Sequence, residues 1–331
     1  MSTNFVDYIK ILGKGKKGSR SLTRQESRHA MMLILSGQVV AEQLGAFWML
    51  IRIREETIEE TVGFTQAIRE HCRLSLSVKV DIDWPAYAGK RNELPWFLFS
   101  ALALSQQGIN IFMHGHAFLE EDRFYVESAL QRLGFPIAHT KEEAEAHLKH
   151  YHFAYMSLDN MAPKLARLMD LKLLLGLRSP VNTLVRMMNL TQAEHSVHGV
   201  FHKGYDELHI QASAELGDDS VLVFRGGNGE AEINPERQVE LGFVQGDHVE
   251  WESWPRSALG HCRQKNRLDI ERMAYHWTGV QEDEFGGLAI IGTIACILRL
   301  ITQKDATECN DMAKAFWQGR EKWIFTTQRI A

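Results

Sequence analysis

Over residues 22–71, apolar positions recur three and four apart, the period of helices that bury one face. Thr23 with Glu26, and Thr57 with Glu60, set a Thr-x-x-Glu capping box ahead of two of these runs. After the second box, Ile58, Val62, Phe64 and Ile68 keep near-helical spacing, while Gly37 ends one helix and residues 38–43 turn into the next. A small bundle of short antiparallel helices is expected over residues 1–75. From residue 76 the pattern becomes short apolar runs, predicting strands at 77–82, 109–114, 153–156, 197–201 and 221–224. Helical patterns at 93–107, 121–133, 141–150, 205–216, 286–303 and 306–319 alternate with them. Strands separated by helices predict an α/β domain over 76–159 and 191–331, with a mostly parallel central sheet covered on both faces. An amphipathic, Leu- and Met-rich helical insertion at 160–190 is expected to dock on the first bundle. Residues 230–256, rich in Gly and Glu and then extended (HVEWESW), read as a looped excursion.

Composition adds little beyond an ordinary globular chain: 331 residues, 45% hydrophobic and 24% charged. The net charge of −5 argues against an overall basic protein, but it is unevenly spread. Residues 1–54 hold nine Lys and Arg against three Asp and Glu, a formal +6, leaving −11 for the rest. The run KILGKGKKGSRSLTR at 10–24 concentrates this charge in Lys10, Lys14, Lys16, Lys17, Arg20 and Arg24, with Gly13, Gly15 and Gly18 keeping it flexible. Such a run reads equally as a solvated leader or as an element that neutralises phosphates and releases their counterions. The four cysteines show no CxxC pair and no metal spacing, the usage expected of a reduced cytoplasmic protein. No signal-peptide apolar core precedes the first charges, and the apolar run at 288–301 is short and carries Arg299. That run is expected to be a buried helix, with no membrane partner.

Candidate chemistry gathers at DWPAYAGKRNELPWF, residues 83–97, between a predicted strand and a predicted helix. At such a junction the helix offers free amides and the positive end of its dipole, and Lys90 and Arg91 beside Gly89 and Asn92 add charge. The alternative is a solvated turn. His114 and His116 at a strand end could meet phosphate or metal, although no third ligand is spaced to match, and a polar-capped turn is the plainer reading. Glu230 and Glu232 alternate as on an extended segment, so both could face one metal, or line a solvated acidic loop. Arg178 and Asn182 lie one helical turn apart and either face a cleft or cap a domain junction. Of the eight tryptophans, Trp96 beside the basic loop is the best base-stacking candidate; Trp48 suits a core or a dimer interface.

Three stretches together carry a resemblance: residues 22–71 with their Leu-Thr start, Leu-Ser-Gly turn and Arg-x-Arg-x-Glu-Thr stretch; LLLGLRSPVNTL at 173–184; and VFRGGNGEAEINP at 223–235. In this order they resemble the anthranilate phosphoribosyltransferase family across nearly the whole chain. The resemblance implies a helical domain and a large α/β domain with a cleft between them, commonly in a homodimer. It also implies phosphoribosyl pyrophosphate as a ligand, with magnesium. At the implied site the residues depart from the family. Its "GTGGDG" pyrophosphate loop reads PAYAGKR here, with Gly89 the one plausible glycine counterpart. Its "KHGN" reads Met113-His114-Gly115-His116, losing the lysine, and the small-residue run after it becomes AFLEEDR. Its anthranilate-binding arginine becomes Lys172, and its magnesium-binding acid pair becomes Glu230-Ala231-Glu232, with Glu232 matching the second acid.

A divergent subfamily resembling this enzyme keeps the fold, rebuilds the loop and binds nucleic acid without sequence preference; YAGKRNELPW looks like its version of the loop. The resemblance therefore implies a protein that has lost anthranilate transfer and binds single-stranded nucleic acid through its phosphates. Lys90, Arg91, Lys10, Lys14, Lys16, Lys17 and Arg20 are the expected contacts. A pentosyl or phosphoribosyl transferase with another acceptor is the alternative.

Overall fold

A computed structural model describes residues 4–15, 17–118, 120, 122–263 and 268–322. Four helices lead the chain: α1 (Phe5–Gly13), α2 (Arg24–Leu35), α3 (Ala41–Arg54) and α4 (Ile58–His71). Both capping boxes form as the sequence predicts. Thr23 and Thr57 each accept the amide of the Glu three residues on, and that Glu bonds back to the cap. The N-terminal run is less free than its glycines suggest. Lys10 sits on α1, whose Phe5, Tyr8 and Leu12 are buried in the bundle.

Beyond α4 the chain alternates strand and helix: β1 (Ile82–Ala86), β2 (Lys90–Arg91), α5 (Phe97–Ser105), β3 (Ile111–Gly115), β4 (Arg123–Phe124), α6 (Val126–Leu133), α7 (Lys141–Tyr151) and β5 (Phe153–Ser157). Three helices follow, α8 (Leu158–Met161), α9 (Pro163–Leu175) and α10 (Val181–Leu184), and their apolar side chains join the core of α1–α4. The chain then returns through β6 (His195–Val200), α11 (Tyr205–Leu216), β7 (Ser220–Arg225), β8 (Val239–Gln245) and β9 (His248–Trp254). It finishes with α12 (Ile270–Thr278), α13 (Glu284–Thr302) and α14 (Ala306–Gly319).

One seven-stranded sheet runs β5-β3-β1-β6-β7-β8-β9. Its first five strands are parallel; β8 and β9 are antiparallel. Residues 239–254, expected as a looped excursion, are therefore two ladder-forming strands of the main sheet. Glu250 and Glu252 of β9 pair with Arg299 on α13. The expected strand 77–82 is also displaced, and pairing begins at Ile82. Leu74, Leu76 and Val78 do alternate, but they pack on Phe112, Ala138 and Leu148 without a neighbouring strand. Helix α13 is long and apolar enough to cross a membrane by length and composition; 61% of that window is buried. Its buried face packs into the main core with α5 and α14. At the junction of the helical part and the sheet domain, Arg69 on α4 holds both oxygens of Asp218 (2.5 and 2.8 Å) and the Met187 carbonyl.

Candidate functional site

Because β1 starts at Ile82, Asp83 and Trp84 are buried strand residues, and the loop at the strand's carboxyl end runs from Tyr87 to Trp96. Gly89 turns this loop with φ +68°. A side chain there would come within 2.8 Å of the Tyr125 ring. The two amides that this turn presents, Ala88 N–H and Gly89 N–H, both donate to Glu230 Oε1, at 2.8 and 2.6 Å. The pair has the form of an anion cradle, and the anion in it is the protein's own carboxylate. Burial pushes the Glu230 carboxyl up to about 7, although Arg186 and the two amides pull the other way.

Lys90 is 1% exposed. Its ammonium reaches Glu232 Oε1 at 2.5 Å, Glu93 Oε2 at 3.2 Å and the Gly227 carbonyl at 3.3 Å. Gly227 is glycine for a reason, since an added Cβ would lie 2.5 Å from the Lys90 nitrogen. Glu232 Oε2 accepts the Phe97 amide at 2.9 Å, so the first turn of α5 is also satisfied internally. Burial opposes charge on both partners, but two carboxylates raise the Lys90 pKa, and the ionised pair is the form that this geometry fits. Arg263 extends the chain of charges by pairing with Glu93 at 2.9 Å.

Lys90, expected at the surface, is therefore an interior residue that ties the loop to the 227–232 segment. Glu230 and Glu232, read as facing a metal or lining a solvated acidic loop, are instead buried and bonded to amides and an ammonium. Ala231 removes the intervening acid, so this donor set does not fit magnesium, which needs carboxylates open to water and phosphate. Arg91 is 62% exposed and pairs with Asp122 at 2.7 Å; Asn92 is exposed with φ +53°. Trp96 is buried beneath α13, where a side chain on Gly286 would come within 2.8 Å of its indole, so it offers no stacking surface. Trp48 is core, packed on Phe47 and Phe64.

The other cleft candidates divide. His114 is buried, its Nδ1 2.7 Å from the Tyr87 hydroxyl and its Nε2 3.2 Å from Asp83 Oδ1; this relay fixes the start of the loop. His116 lies between Asp159 (3.1 Å) and Asp170 (2.9 Å). Lys172 pairs with Glu120 and sits over the Phe118 ring, 4.5 Å from its centroid. Asn182 donates to the Ser179 carbonyl, capping a turn. Arg178 differs from these: among the described residues its guanidinium has no ion-pair partner. Burial and the nearby Arg123 push its pKa down, and Glu230 and Glu120 lie close enough to pull it back.

On the N-terminal segment, Lys10 pairs with Asp7 at 3.1 Å and Arg20 forks onto Glu26 with two bonds of 2.7 Å. Lys14 and Lys17 are exposed, and Lys16 lies outside the described residues. Arg54 holds Ser19 and Ser21, so this segment lies along the carboxyl end of α3. From the same end Arg52 reaches the Arg178 carbonyl. Lys14 and Lys17 are thus exposed on the N-terminal segment, while Arg52 and Arg178 meet at the carboxyl end of α3.

Sequence reasoning missed Glu93, Arg123, Tyr125 and Arg186. Arg123 donates to the Ala88 and Gly89 carbonyls at 2.8 and 3.1 Å, and Arg186 supplies positive potential to Glu230. Their roles at the loop depend on partners distant in sequence, Arg263 for Glu93, the Ala88 and Gly89 carbonyls for Arg123, Gly89 for Tyr125 and Glu230 for Arg186.

Residues 6–72 match the helical bundle domain of the glycosyl transferase family. The anthranilate phosphoribosyltransferase of Geobacillus sp. (strain WCH70) is 28% identical over 237 residues, covering 70% of this chain and 69% of its own. In three dimensions, the anthranilate phosphoribosyltransferase of Thermus thermophilus superposes with a TM-score of 0.76 at 18% identity, over 94% of both chains. The chain has the fold of the anthranilate phosphoribosyltransferases and is related to them in sequence. The Saccharomyces cerevisiae anthranilate phosphoribosyltransferase, solved with phosphoribosyl pyrophosphate and magnesium, has the same fold, with a TM-score of 0.77 at 15% identity over 96% of this chain and 94% of its own. The Lys90–Glu232 pair and the Glu230 carboxyl hold the loop 87–96, the stretch that departs from the anthranilate phosphoribosyltransferase pattern.

Proposed function

We propose that this chain has given up phosphoribosyl transfer at the β1–α5 loop and binds single-stranded nucleic acid through its phosphates. One observation carries the reading. The loop amides and Lys90 are bonded to Glu230 and Glu232, while the cations left for an outside anion lie at the mouth and along the N-terminal segment. An isolated pyrophosphate needs a closed cradle. A polymer of phosphates can span separated cations, and Lys14 and Lys17 on the N-terminal segment, with Arg52 and Arg178 at the carboxyl end of α3, are the ones on offer. Its binding would be salt-sensitive and sequence-blind, because contacts to phosphate carry no base information. A homodimer would give two such sets of cations. The exposed Ile53 on α3, and Leu173 and Leu174 on the neighbouring α9, offer an apolar face for a second copy.

The test is binding of a labelled single-stranded oligonucleotide over a salt series. Wild type is compared with Lys14→Ala/Lys17→Ala and with Arg178→Ala. Each lost phosphate contact should flatten the log–log salt slope by about 0.7. Absence of binding at low salt, with magnesium-dependent thermal protection by phosphoribosyl pyrophosphate, would instead establish the transferase reading and require Glu230 to leave the loop.

A further inference from the structure

Beside the loop, the fold leaves a large aromatic side chain uncovered. Phe201, the residue after β6, is 60% exposed. It does not sit on a remote surface. Gly229, built with a Cβ, would lie 3.1 Å from the Phe201 Cβ and 3.4 Å from the Ala88 Cβ, so Phe201 borders the loop whose amides hold Glu230. Its backbone is well anchored, because β6 pairs with β7 up to Val200 and the Gly226 amide donates to the Val200 carbonyl at 3.2 Å. The next three residues, His202, Lys203 and Gly204, are also exposed. The His202 ring is T-shaped to Phe201, with centroids 5.0 Å apart and an interplanar angle of 87°.

Charges around the ring are mixed: Arg225, opposite Val200 on β7, pairs with Asp206. Lys203 follows Phe201 two residues later. Tyr205, at the start of α11, lies within electrostatic reach of Glu56, Glu55 and Arg52, and Arg52 bonds the Arg178 carbonyl. Arg178 in turn lies within electrostatic reach of Glu230, one residue from Gly229. The ring therefore borders the loop at Gly229 and Ala88, on the side where Glu230 lies within electrostatic reach of Arg178. A phenyl face is a stacking surface for any base, which suits a sequence-blind binder. Burying the ring against another protein would demand a surrounding apolar rim, and residues 202–204 are His, Lys and Gly.

We propose that Phe201 is a base-stacking residue, taking one unpaired nucleobase of a single strand whose phosphates lie on Arg178 and Arg52. This rests on the nucleic-acid reading above and adds to it a contact with a base. The experiment compares labelled oligothymidylate of about twenty nucleotides with an abasic strand of the same length, for wild type, Phe201→Ala and Phe201→Trp. Wild type should prefer the strand with bases. Phe201→Ala should lose roughly 5- to 100-fold in affinity for it, with an unchanged salt slope and no loss on the abasic strand. Phe201→Trp should retain or strengthen binding. If wild type binds both strands and Phe201→Ala matches it on both, the stacking role is overturned and phosphate binding stands. If wild type binds neither strand at low salt, the nucleic-acid reading falls and the stacking role falls with it. A thermal melt of Phe201→Ala, expected to match wild type because the ring is exposed, separates lost contact from lost fold.

Discussion

Glu230 is the residue on which the candidate site turns. Its carboxyl is buried, bonded to two amides and raised to about 7 from 4.5. A group whose folded pKa is raised keeps its proton longer in the folded chain than in the unfolded one, so its contribution is present below about 4.5 and is lost as pH rises through about 7. Glu230→Gln keeps the shape and the accepting oxygen but cannot ionise. Relative to wild type, the variant should gain stability across that window, on the order of 1–3 kcal/mol by pH 8. Chemical denaturation at several pH values measures the difference. A difference that does not change with pH would show Glu230 ionised throughout, as a permanent internal anion. The buried His209, pushed down to about 3 by burial, acts in the opposite direction in both proteins and cancels from the comparison.

At the scale of the element, the loop between β1 and α5 keeps its shape through partners from several other segments. Tyr87 is held by His114, itself bonded to Asp83, and Lys90 by Glu232 and Glu93. The Ala88 and Gly89 carbonyls are held by Arg123, and Gly89 is covered by Tyr125. Gly89→Ala would meet both a left-handed φ and the Tyr125 ring at 2.8 Å. It should cost about 1–3 kcal/mol in a denaturant melt. Tyr125→Ala in the same chain should recover part of that loss, because it removes the clash but not the backbone strain; a fully additive double mutant would refute the contact. How legible the elements were depends on where their determinants lie. The Thr-x-x-Glu boxes of α2 and α4 formed as read, because a cap is satisfied by residues three apart. The start of β1 was misplaced by several residues, because the alternation of Leu74, Leu76 and Val78 is met by packing rather than by a ladder. Residues 239–254 were missed as strands, because their acidic side chains are matched by Arg299, some fifty residues away.

Over the whole molecule, the charge imbalance between residues 1–54 and the rest is real and only partly neutralised in place. Lys10, Arg20, Arg24 and Arg28 each pair with a nearby carboxylate. What is left is a few cations rather than a continuous basic face, so the binding proposed here should be modest and steeply salt-dependent. If the apolar face of α3 and α9 holds a second copy, sedimentation should give a dimer that Ile53→Glu/Leu174→Glu converts to a monomer with an unchanged far-ultraviolet spectrum. A wild-type monomer at micromolar concentration would remove that face from consideration. By itself the sequence determined the helical bundle, the alternation that builds a mostly parallel sheet, and the departure of the loop from the pyrophosphate-binding pattern. These follow from period, capping and residue identity, all of which are local. Only the tertiary structure decided that Lys90 and Glu230 face inward, that Trp96 is covered and that Phe201 is not. A charge beside a glycine looks alike in sequence whether it meets water or a carboxylate 142 residues away. The partner that settles its role is brought by the fold.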